Sequence, residues 1–280
     1  MNFIPSKQNE ISNFGGNRLC LELYTQDEQI LLIQLSNLFS NWHKTLQCNA
    51  ETCSLEISYD GFYPGYLQQP TKLLFIGREN LELGDNNYLE VLYEAIKDNV
   101  IGGKSLNRSR FHRRILYLTY ALKYGIKDFR NGIPYADEIS PLFGSDISYA
   151  FMNVSKFSNN SGYWAANWAL ISKFVELSTG PKNYIAEEIA LLDPDIIITM
   201  NLAFYFDKIG TFSPVEGEHT LRSGGKPYEL ILNQKRVLVL DVYHFSYWIG
   251  WSDKVLFDRT IETLEALKNR FGLKCFPTNE

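Results

Sequence analysis

A chain of 280 residues is long enough to bury a substantial core, as one large domain or as a domain with an elaborated terminus. With 45% hydrophobic and 21% charged residues, and no apolar run near the roughly 18 that a membrane span needs, the composition is that of a soluble globular protein with no membrane partner. The net charge of −5 argues against a protein wrapped in nucleic acid over its whole surface, while leaving room for a local basic groove.

The opening MNFIPSKQNE has neither the basic nor the apolar region of a signal peptide, so a cytoplasmic location is expected. Cys20, Cys48, Cys53 and Cys275 are too scattered for a disulfide scaffold. Cys48 and Cys53 are also spaced more widely than the tight pairs usual in zinc sites.

Residues 1–26 show no clear period. In 26–46, Ile30, Leu31, Ile33, Leu35, Leu38, Phe39 and Trp42 recur mostly at helical spacings, which predicts an amphipathic helix. The segment 54–70 holds the turn dipeptides Asp60-Gly61 and Pro64-Gly65. Its aromatics, Tyr59, Phe62, Tyr63 and Tyr66, either line a pocket mouth or pin the loop to the core.

KLLFIGREN, 72–80, is the stretch around which the chain is organised. Leu73 to Ile76 is an apolar run without alternation, the pattern of a strand buried on both faces of a parallel sheet. Ligands bind beyond the carboxyl ends of such strands, which puts Arg78, Glu79 and Asn80 where chemistry is normally done. The other reading is a strand followed by an ordinary turn.

A helix is expected over 87–99. Next comes KSLNRSRFHRR, 104–114, with five cations, one histidine and no acid in an otherwise acidic chain. It is either a phosphate-contact site, with Phe111 and His112 interleaved, or the solvated start of a helix over 110–123. Cations at a helix N-terminus oppose the macrodipole, which makes the second reading less comfortable.

DISYAFMN, 146–153, reads as a second buried strand, followed by a polar loop whose single charge is Lys156. Helices are expected over 164–177 and 182–192, and a third strand over 195–200. A helix over 201–209 and a turn-rich, Gly-rich excursion over 210–228 precede a fourth strand, 236–242. The last helix lies between Ser252 as N-cap and Gly272 as C-cap.

Together these predict a three-layer α/β fold, a central four-stranded parallel sheet flanked by helices. Residues 71–280 would form this domain, with 1–70 a helical and loop extension packed on it. Glu79, Asn153, Asn201 and Tyr243-His244-Phe245-Ser246 would then share one sheet edge, gathering a carboxylate, amides and an imidazole beside aromatic rings.

Strand-GREN, strand-Asn and strand-xxH-F-S, in that order with helices between, resemble the uracil-DNA glycosylase superfamily. Its first strand is followed by G-Q-D-P or G-x-N-P, its second by asparagine, and H-P-S lies near its last. Similarity is closer still to members with GRE or GQE in the first motif, and it covers about residues 70–272.

The resemblance implies an enzyme that hydrolyses the bond between sugar and a modified or damaged base flipped from DNA, in repair or in defence against modified foreign DNA. It implies no metal, no organic cofactor and no obligate protein partner. Glu79 would activate water, His244 would stabilise charge on the departing base, and Asn153 would read the base edge. Tyr63, Tyr88 or Phe111 would stack on it. Arg108, Arg110, Arg113, Arg114 and Ser246 would contact DNA, and Trp248 would fill the gap in the duplex. This chain departs from the pattern at Asn80 and Phe245, which replace prolines, and at Tyr247-Trp248, which replaces Pro-Leu. Two other readings stay open: a catalytically silent nucleic-acid or nucleotide-binding module on the same fold, and a hydrolase of free nucleosides or nucleotides.

Overall fold

The computed structural model describes residues 21–49, 55, 57–83, 87–163, 165–216, 225–247 and 252–275. Its first long helix, α1 (Gln26–Gln47), starts at a capping box. Thr25 Oγ1 accepts from the Glu28 amide, and Glu28 Oε2 accepts from the Thr25 amide. The apolar face buries Leu35, Leu38, Phe39 and Trp42. Trp42 stacks on Tyr184 at 5.5 Å and donates from Nε1 to Ser178 Oγ at 2.8 Å. Those contacts seat α1 against α4 (Trp168–Ser178) and α5 (Tyr184–Leu192).

Each of the four apolar runs contains a strand. These are β2 (Leu73–Gly77), β5 (Ala150–Asn153), β6 (Ile196–Met200) and β9 (Lys235–Val242). They are mutually parallel in the spatial order β5-β2-β6-β9. Every residue of β2, β5 and β6 is buried, which is why those stretches show no alternation. Phe75 sits between Phe151 and Ile198 in register, so the polar ends of these strands finish level with one another.

The sheet is larger than the four-stranded parallel one expected, and it is mixed. Seven strands run in the order β1-β5-β2-β6-β9-β8-β7, three of them antiparallel additions. β1 (Gly61–Phe62) pairs with β5, β8 (Lys226–Leu232) with β9, and β7 (Phe212–Pro214) with β8. The excursion over 210–228 therefore carries β7 and the start of β8. Only two residues turn β8 into β9, Asn233 and Gln234, with φ of +49° and +68°. Two successive positive φ values are the type I′ turn geometry, normally signalled by Asn-Gly, and Gln234 hid it. Edge strands this short or this polar carry little hydrophobic signal of their own.

α2 (Tyr88–Lys97), α3 (Arg110–Tyr124) and α6 (Asp253–Phe271) fall where periodicity predicts helices, α6 with Ser252 and Gly272 as its caps. Two tiny strands, β3 (Val100–Ile101) and β4 (Lys104–Ser105), form a hairpin ahead of α3. The segment 201–209 is a 3-10 turn, Ala203–Tyr205, followed by one α-turn, Phe206–Ile209. Among the described residues no helix is long and apolar enough to cross a membrane.

Candidate functional site

Because β5, β2, β6 and β9 are parallel, the residues that follow them share one edge of the sheet. Asn153 ends β5, Arg78 and Glu79 follow β2, and His244 follows β9. The β6 tip is shaped by Asp241, which accepts from Thr199 Oγ1 at 2.7 Å and from the Leu202 amide at 2.8 Å. Asn201 makes the turn there with φ of +62°.

Arg78 ties this edge together. Its Nε donates to the Met200 carbonyl at 3.3 Å, and its guanidinium lies 4.7 Å from the centre of the Trp168 ring. The same cation acts electrostatically on both Glu79 and His244. Glu79 Oε1 accepts from the Asn167 amide at 2.8 Å and from Asn159 Nδ2 at 3.3 Å. Burial raises the Glu79 pKa from the ordinary carboxylate value, partly offset by those hydrogen bonds and by Arg78. Asn80, where the glycosylase motif has proline, staples the loop by donating to Ser58 Oγ and accepting from the Leu83 amide.

Asn153 is buried, and its Nδ2 has no hydrogen-bond partner among the described residues. Its side chain crosses over Gly77, where an added Cβ would come within 2.6 Å of Asn153 Oδ1. The Asn153 amide donates to Asp60 Oδ2 at 2.7 Å. Asp60 Oδ1 in turn accepts from Lys156 Nζ at 2.5 Å, and Lys156 also reaches Glu188 at 2.8 Å. All three of these charged side chains are buried. One cation between two buried carboxylates balances only one of them. Burial raises the Glu188 pKa well above its ordinary value and so favours its protonated form, with Asp60 adding to the rise and Lys156 opposing it.

His244 is half-buried, with its ring 5.3 Å from that of Phe111. Nδ1 accepts from the Ser246 amide at 3.3 Å and lies 2.7 Å from Ser246 Oγ. An Nδ1 that accepts leaves the neutral ring's proton on Nε2. Burial, with help from the charge on Arg78, lowers the His244 pKa to about 3, so the imidazole is neutral near pH 7. Rings continue away from it. Phe111 meets Phe151 edge-on at 6.0 Å, and Phe151 stacks on Tyr88 at 5.3 Å.

The residues predicted from sequence divide into three groups. Glu79, Asn153, His244, Ser246 and Phe111 lie on this edge, and Tyr88 touches it through Phe151. Tyr63 does not reach it: its amide bonds the Tyr149 carbonyl, before the start of β5, and its ring is fully buried between Phe143 and Tyr149. Stacking on a base is closed to Tyr63, because an aromatic-rich loop satisfies the core first.

The basic stretch also divides. Arg108 is exposed, and Arg110 donates to the Ser246 carbonyl at 3.5 Å, which keeps Arg110 beside the His244 loop. Arg113 and Arg114 are turned inward to Asp253, at 2.7 and 2.8 Å. Arg114, its side chain 1% exposed, donates as well to the carbonyls of Phe245 and Tyr247. Both guanidinium groups are thus engaged by acceptors of the protein itself, since a guanidinium has enough donors to fasten a loop and a carboxylate at once. Trp248 lies outside the described residues.

Sequence reasoning missed Asp60, Phe151 and Asn159. The isolation of Lys156 in an uncharged loop was the one available signal for the buried ion cluster. Among the described residues, no three His, Cys, Asp or Glu side chains are grouped so as to hold a metal ion. No protein-family model and no curated protein sequence matches the chain.

Proposed function

We propose that this protein is a monofunctional DNA glycosylase-like hydrolase that cleaves the N-glycosidic bond of a modified or damaged base flipped out of DNA. The observation that carries the reading is His244: a neutral imidazole whose Nδ1 is an acceptor, so that Nε2–H is a donor, on the edge that also bears Glu79 and Asn153.

In this reaction the bond from the sugar carbon to the base nitrogen breaks and its electron pair leaves with the base. Positive charge builds on the sugar and negative charge on the base. Glu79 stabilises the sugar, and accepts the proton of the water whose oxygen bonds to the sugar carbon. His244 donates from Nε2 to the base oxygen that gathers charge, an arrangement in which one donor contributes about 3 to 4 kcal/mol to catalysis. The unpartnered Asn153 carboxamide supplies the hydrogen bonds that read the base edge. Its burial makes a wrong base costly, because Nδ2 would then stay unpaired.

The test uses oligonucleotides carrying a panel of modified bases, followed by alkali to break the strand wherever a base has been lost. Strand breaks that vanish in Glu79→Gln and His244→Ala are expected. Binding without base release across the panel overturns the reading in favour of a binding module. Release from mononucleotides that ignores Arg108→Ala and Arg110→Ala overturns it in favour of a nucleoside or nucleotide hydrolase.

A further inference from the structure

Exposed aromatic side chains are concentrated around the site. Of the seven among the described residues, only Tyr124 and Tyr135 lie elsewhere. Tyr163 (75% exposed), Trp168 (37%), Phe204 (57%), Tyr243 (39%) and Tyr247 (40%) all come from segments that follow the carboxyl ends of β5, β6 and β9. Parallel pairing places those segments on one edge.

Two pairs can be recognised. Trp168 meets Phe204 edge-on at 5.3 Å and covers the Arg78 guanidinium. Tyr243 and Tyr247 stack at 5.4 Å with an 18° tilt, on either side of His244 in the chain. β6 and β9, which lead into Phe204 and Tyr243, are neighbours in the sheet. The first pair therefore flanks the Glu79 side of the site and the second the His244 side.

A ring held at the surface forfeits the gain of burial, and five on one edge form a platform. Cations border it. Arg110 bonds the Ser246 carbonyl beside Tyr247, while Lys104 and Arg108 are exposed on the hairpin and turn that lead into α3. Aromatic faces with a basic border match unpaired bases on a phosphate backbone. A duplex offers the platform nothing to stack on, because its bases already stack on each other.

We infer that the strand this site takes is single-stranded nucleic acid, whose bases on either side of the reacting one stack on Trp168–Phe204 and on Tyr243–Tyr247. The inference rests on the proposed function for the reacting nucleotide, but it concerns binding, which can be read without turnover.

The experiment is fluorescence anisotropy with labelled, undamaged 12-mers: single-stranded DNA, single-stranded RNA, and the DNA duplex of the same sequence. At least tenfold tighter binding of a single strand than of the duplex is expected, and comparing the two single strands identifies which one is preferred. Trp168→Ala or Tyr247→Ala should weaken single-strand binding about five- to a hundredfold. Trp168→Phe and Tyr247→Phe should retain most of it, with unchanged circular dichroism in all four. Equal or tighter duplex binding overturns the inference, as does alanine variants binding like wild type, or no binding of any 12-mer. Base release from duplex alone would leave the catalytic reading standing and this one overturned; tight single-strand binding by a protein that releases no base does the reverse.

Discussion

Arg114 and Phe245 are 131 positions apart in the chain, and a guanidinium nitrogen of the first donates to the carbonyl of the second at 2.7 Å. The same side chain holds the Tyr247 carbonyl and Asp253, so one buried cation sets the path of the loop that presents His244. Removing one partner of a buried ion pair costs about 3 to 5 kcal/mol. Arg114→Ala should lose that much in urea denaturation. Arg114→Lys should recover little, because an ammonium cannot span a carboxylate and two carbonyls. An unchanged midpoint in Arg114→Ala would refute the positioning role.

Arg110 sits half-buried at the surface by comparison. Arg110→Ala should leave the urea midpoint within about 0.5 kcal/mol of wild type. It should also reduce the salt dependence of DNA binding by roughly one phosphate contact, a slope change of about 0.7 to 0.9 in log K against log salt. A salt slope identical to wild type would remove Arg110 from the proposed interface.

The pH profile of base release should have one ascending limb. In the proposed reaction Glu79 must be ionised to take the proton of water, so activity should be lost as pH falls through its pKa, which burial holds above the ordinary carboxylate value. His244 adds no second limb near neutrality, because it stays neutral down to about pH 3. An inflection near pH 6.5 that disappears in His244→Gln would contradict this assignment.

Stability against acid carries the opposite signature to that of a salt-bridged histidine. Burial lowers the pKa of His112 to about 4, and His244 sits at about 3, both below the unfolded value of 6.5. As pH drops below about 6.5 the unfolded chain binds protons that the folded chain refuses, so stability should decline from there toward pH 4. Denaturation midpoints across that window should slope less steeply in His112→Gln than in wild type. Parallel slopes would show that the ring is not buried in its neutral form.

The buried cluster of Asp60, Lys156 and Glu188 should respond unequally. Glu188→Gln imitates the protonated carboxyl that burial favours, and is expected to cost under about 1 kcal/mol. Lys156→Met strands the Asp60 carboxylate, with an expected cost of about 3 to 5 kcal/mol. Asp60→Asn also weakens the bond to the Asn153 amide, and should impair base recognition beyond its effect on folding. Equal losses in Glu188→Gln and Lys156→Met by calorimetry would overturn the proton assignment.

Gly77→Ala should be the most selective change at the site. Gly77 is required for space: the new Cβ meets Asn153 Oδ1 at 2.6 Å and Phe151 Cζ at 3.1 Å. Overpacking of this kind costs about 1 to 3 kcal/mol, and here it falls on the side chain proposed to read the base. Base release should drop far more than stability does. Wild-type turnover in a destabilised Gly77→Ala would show that Asn153 does not read the base.

The four parallel strands, the long helices and the caps Ser252 and Gly272 were legible because each depends on a local pattern. A doubly buried strand is apolar throughout, and a helix repeats every three to four residues. The short antiparallel strands were not legible. β1 has two residues, and the β8–β9 turn uses Asn-Gln where a glycine would have announced it. Glu79, Asn153 and His244 could be placed on one sheet edge from the sequence because each ends or follows a parallel strand. Arg113 and Arg114 were read as surface cations because composition records charge without recording direction.

By itself, then, the order of residues determined which segments become buried strands and which polar groups end them. Strand formation is governed by neighbours a few positions away. Only the tertiary structure decided which polar groups remain at the sheet edge and which are consumed by the protein. That choice depends on partners far off in the chain, such as Asp253 for Arg114, Glu188 for Lys156 and Tyr149 for Tyr63. A buried charge or donor takes the nearest partner that removes the cost of leaving water, and in this fold the partner comes from another element.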